Sequence, residues 1–429
     1  MTDRPLPAAP SIAILPFNNL SGAAEHEHFS DGVAEAVLDA LADVRALRVA
    51  PWSSSLALKG RVTGAKEAGA ALGVAVVLDG GVRKTATQVQ VSVELVDSAS
   101  GDTRWSARFD RPAADIFAVL QDITRQVLEA LGVTPPAAAR APTADARAFD
   151  SYLRGRQLAR RLLRRNQEYA AQMFGDAVSL DPGFALAHAG AAMCSAMLYQ
   201  YWDSSDANVA AADAASATAV RLAPDEAEAR VARGVALSIA KRFDEAEQEF
   251  VAALERRPES FDAYYFRARA CRAQGQDDLA VQWYERACTL RPEDYATPQL
   301  LASVYRGLGR LEEAQATQQR ALALAERHLE VHPDDARALY LGAGALATLG
   351  DATRARDWAK RAVAMDPDDS AVLYNVACAY ALLGLHDSAI DCLELAIANG
   401  FRHWQWIEHD SDLDGLRTSP RFAALLEKR

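Results

Sequence analysis

The sequence predicts a mixed α/β domain followed by an all-α solenoid of helical repeats. Three observations carry this reading. Prolines recur at a fixed interval late in the chain: Pro224, Pro258 and Pro292 are 34 residues apart, as are Pro333 and Pro367. Between them, apolar residues recur at helical spacing in two short stretches per interval. The earlier part of the chain instead mixes strand-like and helical patterns.

Residues 1–10 are rich in Pro and Ala and are expected to form a disordered lead. SIAILPF (11–17) is a short apolar run and fits a buried strand, with NNLSG as a turn after it. From Phe29 to Leu41, Val33, Val37, Leu38 and Leu41 share one face of an amphipathic helix. LRVAPW (47–52) reads as a second strand. Ala65 to Leu72 reads as a short helix closed by Gly73. VAVVLDGGVRK, TQVQVSVELVD and GDTRWSARFD read as three consecutive strands. The middle one alternates through Val89, Val91, Val93 and Leu95, and SASGD supplies a hairpin turn. Asp115 to Leu131 closes the domain as a helix with Ile116, Val119, Leu120, Ile123 and Val127 inward. The expected order over residues 11–132 is β-α-β-α-β-β-β-α. Residues 133–146, VTPPAAARAPTADA, read as a Pro/Ala linker.

The clearest repeat lies between Arg230 and Pro258. Arg230, Arg233, Gly234 and Leu237 share one helical face; Ala246, Phe250 and Ala253 share a face of a second helix. Pro258 lacks the N–H that a helix interior needs. Gly234 and Ala246 let the two backbones approach, and Phe250 fills the space between them. Comparable pairs run from Ala148 to Pro182, with Phe174, and on to Pro224. The fourth repeat holds Tyr264, Ala268, Ala280 and Tyr284. The fifth ends at Pro333, 41 residues after Pro292, which adds two turns to its second helix. Two more follow, the last ending at Gly400. About seven repeats therefore occupy 147–400, and 401–429 is expected to cap the open apolar end.

A 34-residue period with this internal pattern resembles the tetratricopeptide repeat (TPR). The resemblance implies a superhelical solenoid whose first helices line a concave groove for protein or peptide ligands. The blocks SIAILPFNNLSG, HFSDGVAEAVLDAL, LRVAPWSSSLALKG, LGVAVVLDGGVRK and SGDTRWSARFDR, with DIFAVLQDIT, resemble the TolB-like or FlgO-like amino-terminal domain. In bacteria that domain commonly joins a TPR array to a class III adenylate cyclase, a Ser/Thr kinase or a winged-helix regulator. Only ten residues precede the domain here, so none of those activities is expected to carry over.

Composition narrows the function classes. The 429 residues are half hydrophobic and carry a net charge of −12 with no basic run. Nucleic acid and anionic membrane are therefore not expected as partners. No apolar stretch approaches a membrane span, and MTDRPLPAAP has no signal-peptide core, so a cytoplasmic protein is expected. Five cysteines, none in a CxxC, read as small buried residues in a reducing compartment. Asp410, Asp412, Asp414 and Gly415 open like a calcium loop, but Arg421 stands where the bidentate Glu belongs, so a capped turn is expected. His26, Glu27 and His28 read as a solvated loop. Gly60, Gly64 and Lys66 fail the phosphate-loop spacing. No catalytic constellation stands out, and neither enzyme activity nor a cofactor or metal is expected.

By the TPR pattern, groove positions include Tyr265, Arg269 and Arg272 in the fourth repeat and Gln299, Ser303 and Arg306 in the fifth. Tyr340 and Tyr374 follow in the sixth and seventh, with Asn375 beside the latter. Arginine forks grip carboxylates, and tyrosines offer rigid amphipathic contact. The expected function is a non-catalytic scaffold binding a protein or peptide in the groove. The α/β domain would act as a second docking surface or a unit for homo-oligomers. Two alternatives stand beside it: a regulatory subunit acting in trans on a separately encoded cyclase, kinase or transcription regulator, and an enzyme with a site in the α/β domain.

Overall fold

A computed structural model describes residues 10–427, apart from 23–25, 43, 45, 60, 62–63 and 136–140. Residues 1–9 of the expected lead, Gly60 of the Gly60, Gly64 and Lys66 set, and the centre of the expected linker lie outside these. The chain divides into two compact units, Met1–Arg160 with Gln172–Ala187, and Arg161–Ala171 with His188–Arg429.

The first unit is built on one mixed sheet. Strands β1 (Ser11–Ile14), β2 (Asn18–Asn19), β3 (Arg48–Val49), β4 (Val76–Lys84), β5 (Gln88–Asp97) and β6 (Thr103–Pro112) form it. The order is β3-β1-β4-β5-β6, with β2 also paired to β4. β1 runs parallel to β3 and β4, while β4, β5 and β6 are antiparallel. The connections decide this. Short turns can only return a strand antiparallel, whereas the parallel pairs need crossovers. Helices α1 (Glu27–Ala42) and α3 (Ala65–Leu72) supply them. Gly73 closes α3 at φ 62°, as read. In β5, Val89, Val91, Val93 and Leu95 are all buried.

Two details differ from the sequence reading. Asn18–Asn19 form a short strand where a turn was expected, because they pair with Gly81 and Val82 of β4. The second expected strand shrinks to Arg48–Val49, and Trp52 instead opens a short helix, α2 (Trp52–Leu56). Pro51 precedes it at φ −58°, preset for a helical start.

Helix α4 (Ile116–Ala130) closes the sheet domain, but the unit does not end there. Helix α5 (Ala146–Ala159), by register the first helix of the repeats, packs on α1. Glu35 accepts from Arg156 at 2.9 Å and from Arg160; Asp39 also accepts from Arg156, at 3.1 Å. Asp150 takes His28 at 3.1 Å and Lys84. Burial alone would raise the Asp150 carboxyl, but these two partners hold it well below the usual range. Phe149 meets Phe117 of α4 with centroids 5.0 Å apart. The chain passes from one unit to the other after Arg160, within helix α6 (Arg164–Leu180) after Ala171, and after Ala187. The His26–His28 stretch is not the solvated loop expected: it opens α1, and His28 is 4% exposed.

The second unit is an array of antiparallel helix pairs. Helix α7 (Ala185–Tyr201) pairs with α8 (Asp206–Leu222), α9 (Ala227–Ile239) with α10 (Phe243–Arg256), and α11 (Phe261–Ala273) with α12 (Asp277–Leu290). Then come α13 (Ala296–Gly307) with α14 (Leu311–Val331), α15 (Ala336–Leu349) with α16 (Ala352–Met365), and α17 (Ser370–Leu382) with α18 (His386–Ala398). At 21 residues, α14 exceeds the 14-residue α12 by the two turns expected. Helix α19 (Trp404–His409), a 3₁₀ turn (Ser411–Leu416) and α20 (Pro420–Leu426) form the cap. Among the described residues no helix is long and apolar enough to cross a membrane.

In two of these pairs close packing rests on a glycine facing an aromatic ring. A Cβ on Gly234 would lie 2.7 Å from the Phe250 ring, and one on Gly342 would lie 2.1 Å from Trp358. Gly342→Ala is therefore expected to lower stability by about 1–3 kcal/mol through overpacking. Gly344, on the same helix, has no neighbour nearer than 3.9 Å. Gly344→Ala should raise stability by about 0.4–1 kcal/mol by restricting the unfolded chain. Urea unfolding of both variants checks the contrast. A Gly342→Ala protein as stable as wild type would mean that α15 and α16 can part without loss.

Candidate functional site

The nine groove positions do not form one open surface. Tyr265, Tyr340 and Tyr374 are 8%, 7% and 4% exposed. Tyr265 stacks on Phe261 at 5.6 Å between centroids and meets Tyr284 edge-on at 6.1 Å. Tyr374 stacks on Phe401 at 4.5 Å, and its hydroxyl donates to Asp410 at 2.7 Å. Asn375 donates to the Ala371 carbonyl of its own helix. Gln299 accepts from Gln318. Arg272 pairs with Asp277 at 3.5 Å and Arg306 with Asp412 at 3.1 Å, so the structure does not gather Arg269, Arg272 and Arg306 at one site. Ser303 is half-buried. Helical register names the face a residue occupies. It does not say whether another part of the chain already covers that face.

Part of the cover comes from the cap, through Phe401, Asp410 and Asp412, and part from the end of α7. Trp202 is 3% exposed, and its indole N–H donates to Asp369 at 2.8 Å, 167 residues further along. The Tyr201 hydroxyl meets the Arg269 guanidinium, which also lies over the Tyr201 ring at 5.3 Å and the Tyr265 ring at 5.9 Å. The Tyr199 ring meets His403 edge-on at 6.3 Å. The second repeat thus touches the fourth, the seventh and the cap. A straight stack would forbid this; the array winds around the α7 corner.

A cluster of phenols and guanidiniums surrounds that corner. Burial pushes the Tyr201 hydroxyl up, but the charges of Arg269 and Arg337 outweigh it and hold the group below its ordinary value. Burial pushes Tyr265, Tyr284 and Tyr340 up. Arg337 acts on Tyr201, Tyr265, Tyr295 and Tyr340 alike. The nearby carboxylates have other duties. Asp335 accepts from the backbone N–H of Arg337 at 2.9 Å and from the Tyr295 hydroxyl at 3.0 Å, and it lies 2.8 Å from a His328 ring nitrogen. Asp369 caps α17 through Ala371 and Val372, and Asp294 accepts from the Thr297 N–H at 2.6 Å. Sequence reasoning missed Arg337. Its signal was legible: a positive residue in the first turn of a helix opposes the helix dipole and asks for a reason.

At the cap, the calcium-like carboxylates are turned to other partners. Asp410 takes Tyr374, Asp412 takes Arg306, and Asp414 takes Arg417. Asp410 also caps the 3₁₀ turn, as the capped-turn reading expected. Burial and neighbouring Asp410 raise Asp412 to about 6 against the pull of Arg306. Burial lowers His403 to about 4. Among the described residues no group of His, Cys, Asp and Glu is placed to hold a metal ion. Cys194, Cys271, Cys288 and Cys378 are buried, and Cys392 is half-buried.

Comparison with known proteins adds the following. Tetratricopeptide repeat family models match residues 240–295, 294–368 and 370–398. "Putative adenylate cyclase 3" of Rhizobium meliloti (strain 1021) is 32% identical over 249 residues, covering 56% of this chain. The match takes in 42% of that protein, so the chain spans less than half of this relative's length. Among solved structures, a human IFIT1 dimer with PPP-AAAA is similar at 17% identity and a TM-score of 0.47, covering 66% of this chain and 64% of that one. The APC/C hetero-tetramer Cut9–Hcn1 matches at 15% identity and a TM-score of 0.43, over 73% and 52% of the respective chains. YrrB, described as a TPR protein with an unusual peptide-binding site, matches at 19% identity and a TM-score of 0.31, over 50% and 98%.

Proposed function

We propose that this tetratricopeptide-repeat protein is a non-catalytic cytoplasmic scaffold that takes a segment of a partner protein against the inner face of its array. One observation supports this most: the chemistry of the first helices of the repeats. A face meant only to be sealed would carry Leu and Val. Instead α11, α13 and α15 place Arg269, Gln299, Ser303 and Arg337 there, all half-buried, with Arg269 over two phenol rings. Such side chains keep hydrogen-bonding capacity in partly dry surroundings, where it is worth more than in water. Tyr265, Tyr340 and Tyr374 remain framing residues of this surface. The Tyr199–Trp202 corner narrows it, so the segment bound is short.

The test is photo-crosslinking with the full chain. A benzoylphenylalanine at position 303 or 299 is expected to capture a partner; one at Glu94, on the sheet of the first unit, is not. Adducts from position 94 alone would overturn the reading and move the binding surface to the sheet. A second reading, a regulator acting in trans on a separately encoded cyclase, draws on the relative named a putative adenylate cyclase. It requires that the captured partner contain a nucleotide cyclase domain.

A further inference from the structure

We propose that the outer edge of β6 binds the same edge of a second copy of this chain, so that one sheet runs through both protomers. The sheet has two edges. β3 ends one of them and is two residues long. β6 ends the other with ten residues, and among the described residues no strand pairs with its outer side. A long free edge is a template for another strand, and folds that do not use one shorten or block it.

The bonding pattern shows which backbone groups are free. The Ala113 N–H donates to the Thr87 carbonyl at 2.9 Å, and antiparallel ladders alternate with a period of two. Arg111, Phe109 and Ala107, opposite Val89, Val91 and Val93, therefore direct their N–H and C=O groups to β5. Ser106, Arg108 and Asp110 turn theirs outward, and all three residues are exposed. This window is bounded on both sides. Leu95 pairs with Trp105 but Val96 pairs with Thr103, so Arg104 is an extra residue in a bulge. At the other end, Pro112 has no N–H to give.

The side chains select the occupant and the register. Among the described residues neither Arg108 nor Asp110 has an ion pair in its own chain; Asp110 accepts from the Gln90 amide at 3.1 Å. A two-fold antiparallel contact centred on Phe109 sets Arg108 of each copy against Asp110 of the other. Arg108 and Asp110 then exchange backbone bonds in both directions, and each Ser106 N–H reaches the Pro112 carbonyl of the other copy. Phe109 is 7% exposed, and the dyad covers that remainder. Centring the contact on Arg108 would set two guanidiniums against each other. Centring it on Ala107 would set Arg108 against Ser106 and Asp110 against the bulge. An edge guarded by charge alone repels its own copy. Arg108 and Asp110, one residue apart, attract it.

Sedimentation velocity of the full chain over a dilution series tests this, and a reversible dimer is expected. Arg108→Glu and Asp110→Arg each turn both attractions across the dyad into repulsions and should raise the dissociation constant roughly tenfold or more. Both side chains are exposed, so the Tm should hold. An equimolar mixture of the two variants should recover wild-type affinity, because every contact across the dyad again joins opposite charges. Ser106→Pro deletes an N–H that points away from β5 and should weaken the dimer while leaving the sheet intact. A wild-type chain that stays monomeric, a dimer that neither charge variant weakens, or a mixture no tighter than its components overturns the proposal. If either charge variant fails to fold, Ser106→Pro decides, and dimerisation at wild-type strength overturns the edge contact. A monomeric chain that takes up a peptide of residues 104–112 would give the edge to a strand of another protein and likewise overturn self-pairing. None of these outcomes bears on the inner face of the repeats, where photo-crosslinking decides separately.

Discussion

Trp202→Ala is expected to lower the unfolding free energy of the repeat array by about 3–5 kcal/mol, the range for truncating a large buried aromatic. Trp202 is 3% exposed and bonded to Asp369, so truncation leaves both a cavity and an unpaired carboxylate oxygen. Asp369 still caps α17, so its charge stays in place without the indole N–H. The damage should spread along the array, because this corner ties the second repeat to the seventh while neighbouring Tyr201 meets the fourth. Trp202→Phe keeps one aromatic ring but loses the donor and should cost about 1–3 kcal/mol for the unsatisfied buried acceptor alone. Urea unfolding followed by far-UV circular dichroism measures both. A Trp202→Ala protein within 1 kcal/mol of wild type would show that the α7 corner merely rests against the inner face.

Removing residues 401–429 should have the larger effect on solubility. Phe401, Ile407, Leu413, Leu416, Phe422 and Leu425 are each at most 1% exposed, and they cover Leu373, Ile390 and Leu393. Each such side chain contributes about 1.5–3 kcal/mol when buried, and the six together approach the whole stability of an ordinary domain. Truncation also strands Arg306 without Asp412 and Tyr374 without Asp410. The expected result is a protein that elutes as aggregates and melts many degrees lower. Trp406, 38% exposed, contributes little to this cover, and Trp406→Ala should be tolerated. A truncated chain that stays monodisperse at the wild-type Tm would refute the capping role.

The sequence by itself determined the two-part architecture and the pairing of helices, because both follow from short-range pattern. Proline at a 34-residue interval, a small residue against Phe250, and alternation through Val89 to Leu95 each act within one turn, one hairpin or one helix pair. Even the two extra turns of α14 were legible as spacing between prolines. Tertiary structure alone decided three other things. It placed α5 on α1 through Glu35, Arg156 and Arg160, which lie more than a hundred residues apart. It filled the inner face with Tyr201 and Trp202 and so buried tyrosines that register had assigned to an open groove. It set the Tyr199 ring of the second repeat against His403 of the cap. The last two depend on the small rotation from each repeat to the next, summed over several repeats. No single segment encodes that sum. Which distant residues meet across the array is therefore set by how its turns accumulate, and only the folded chain shows it.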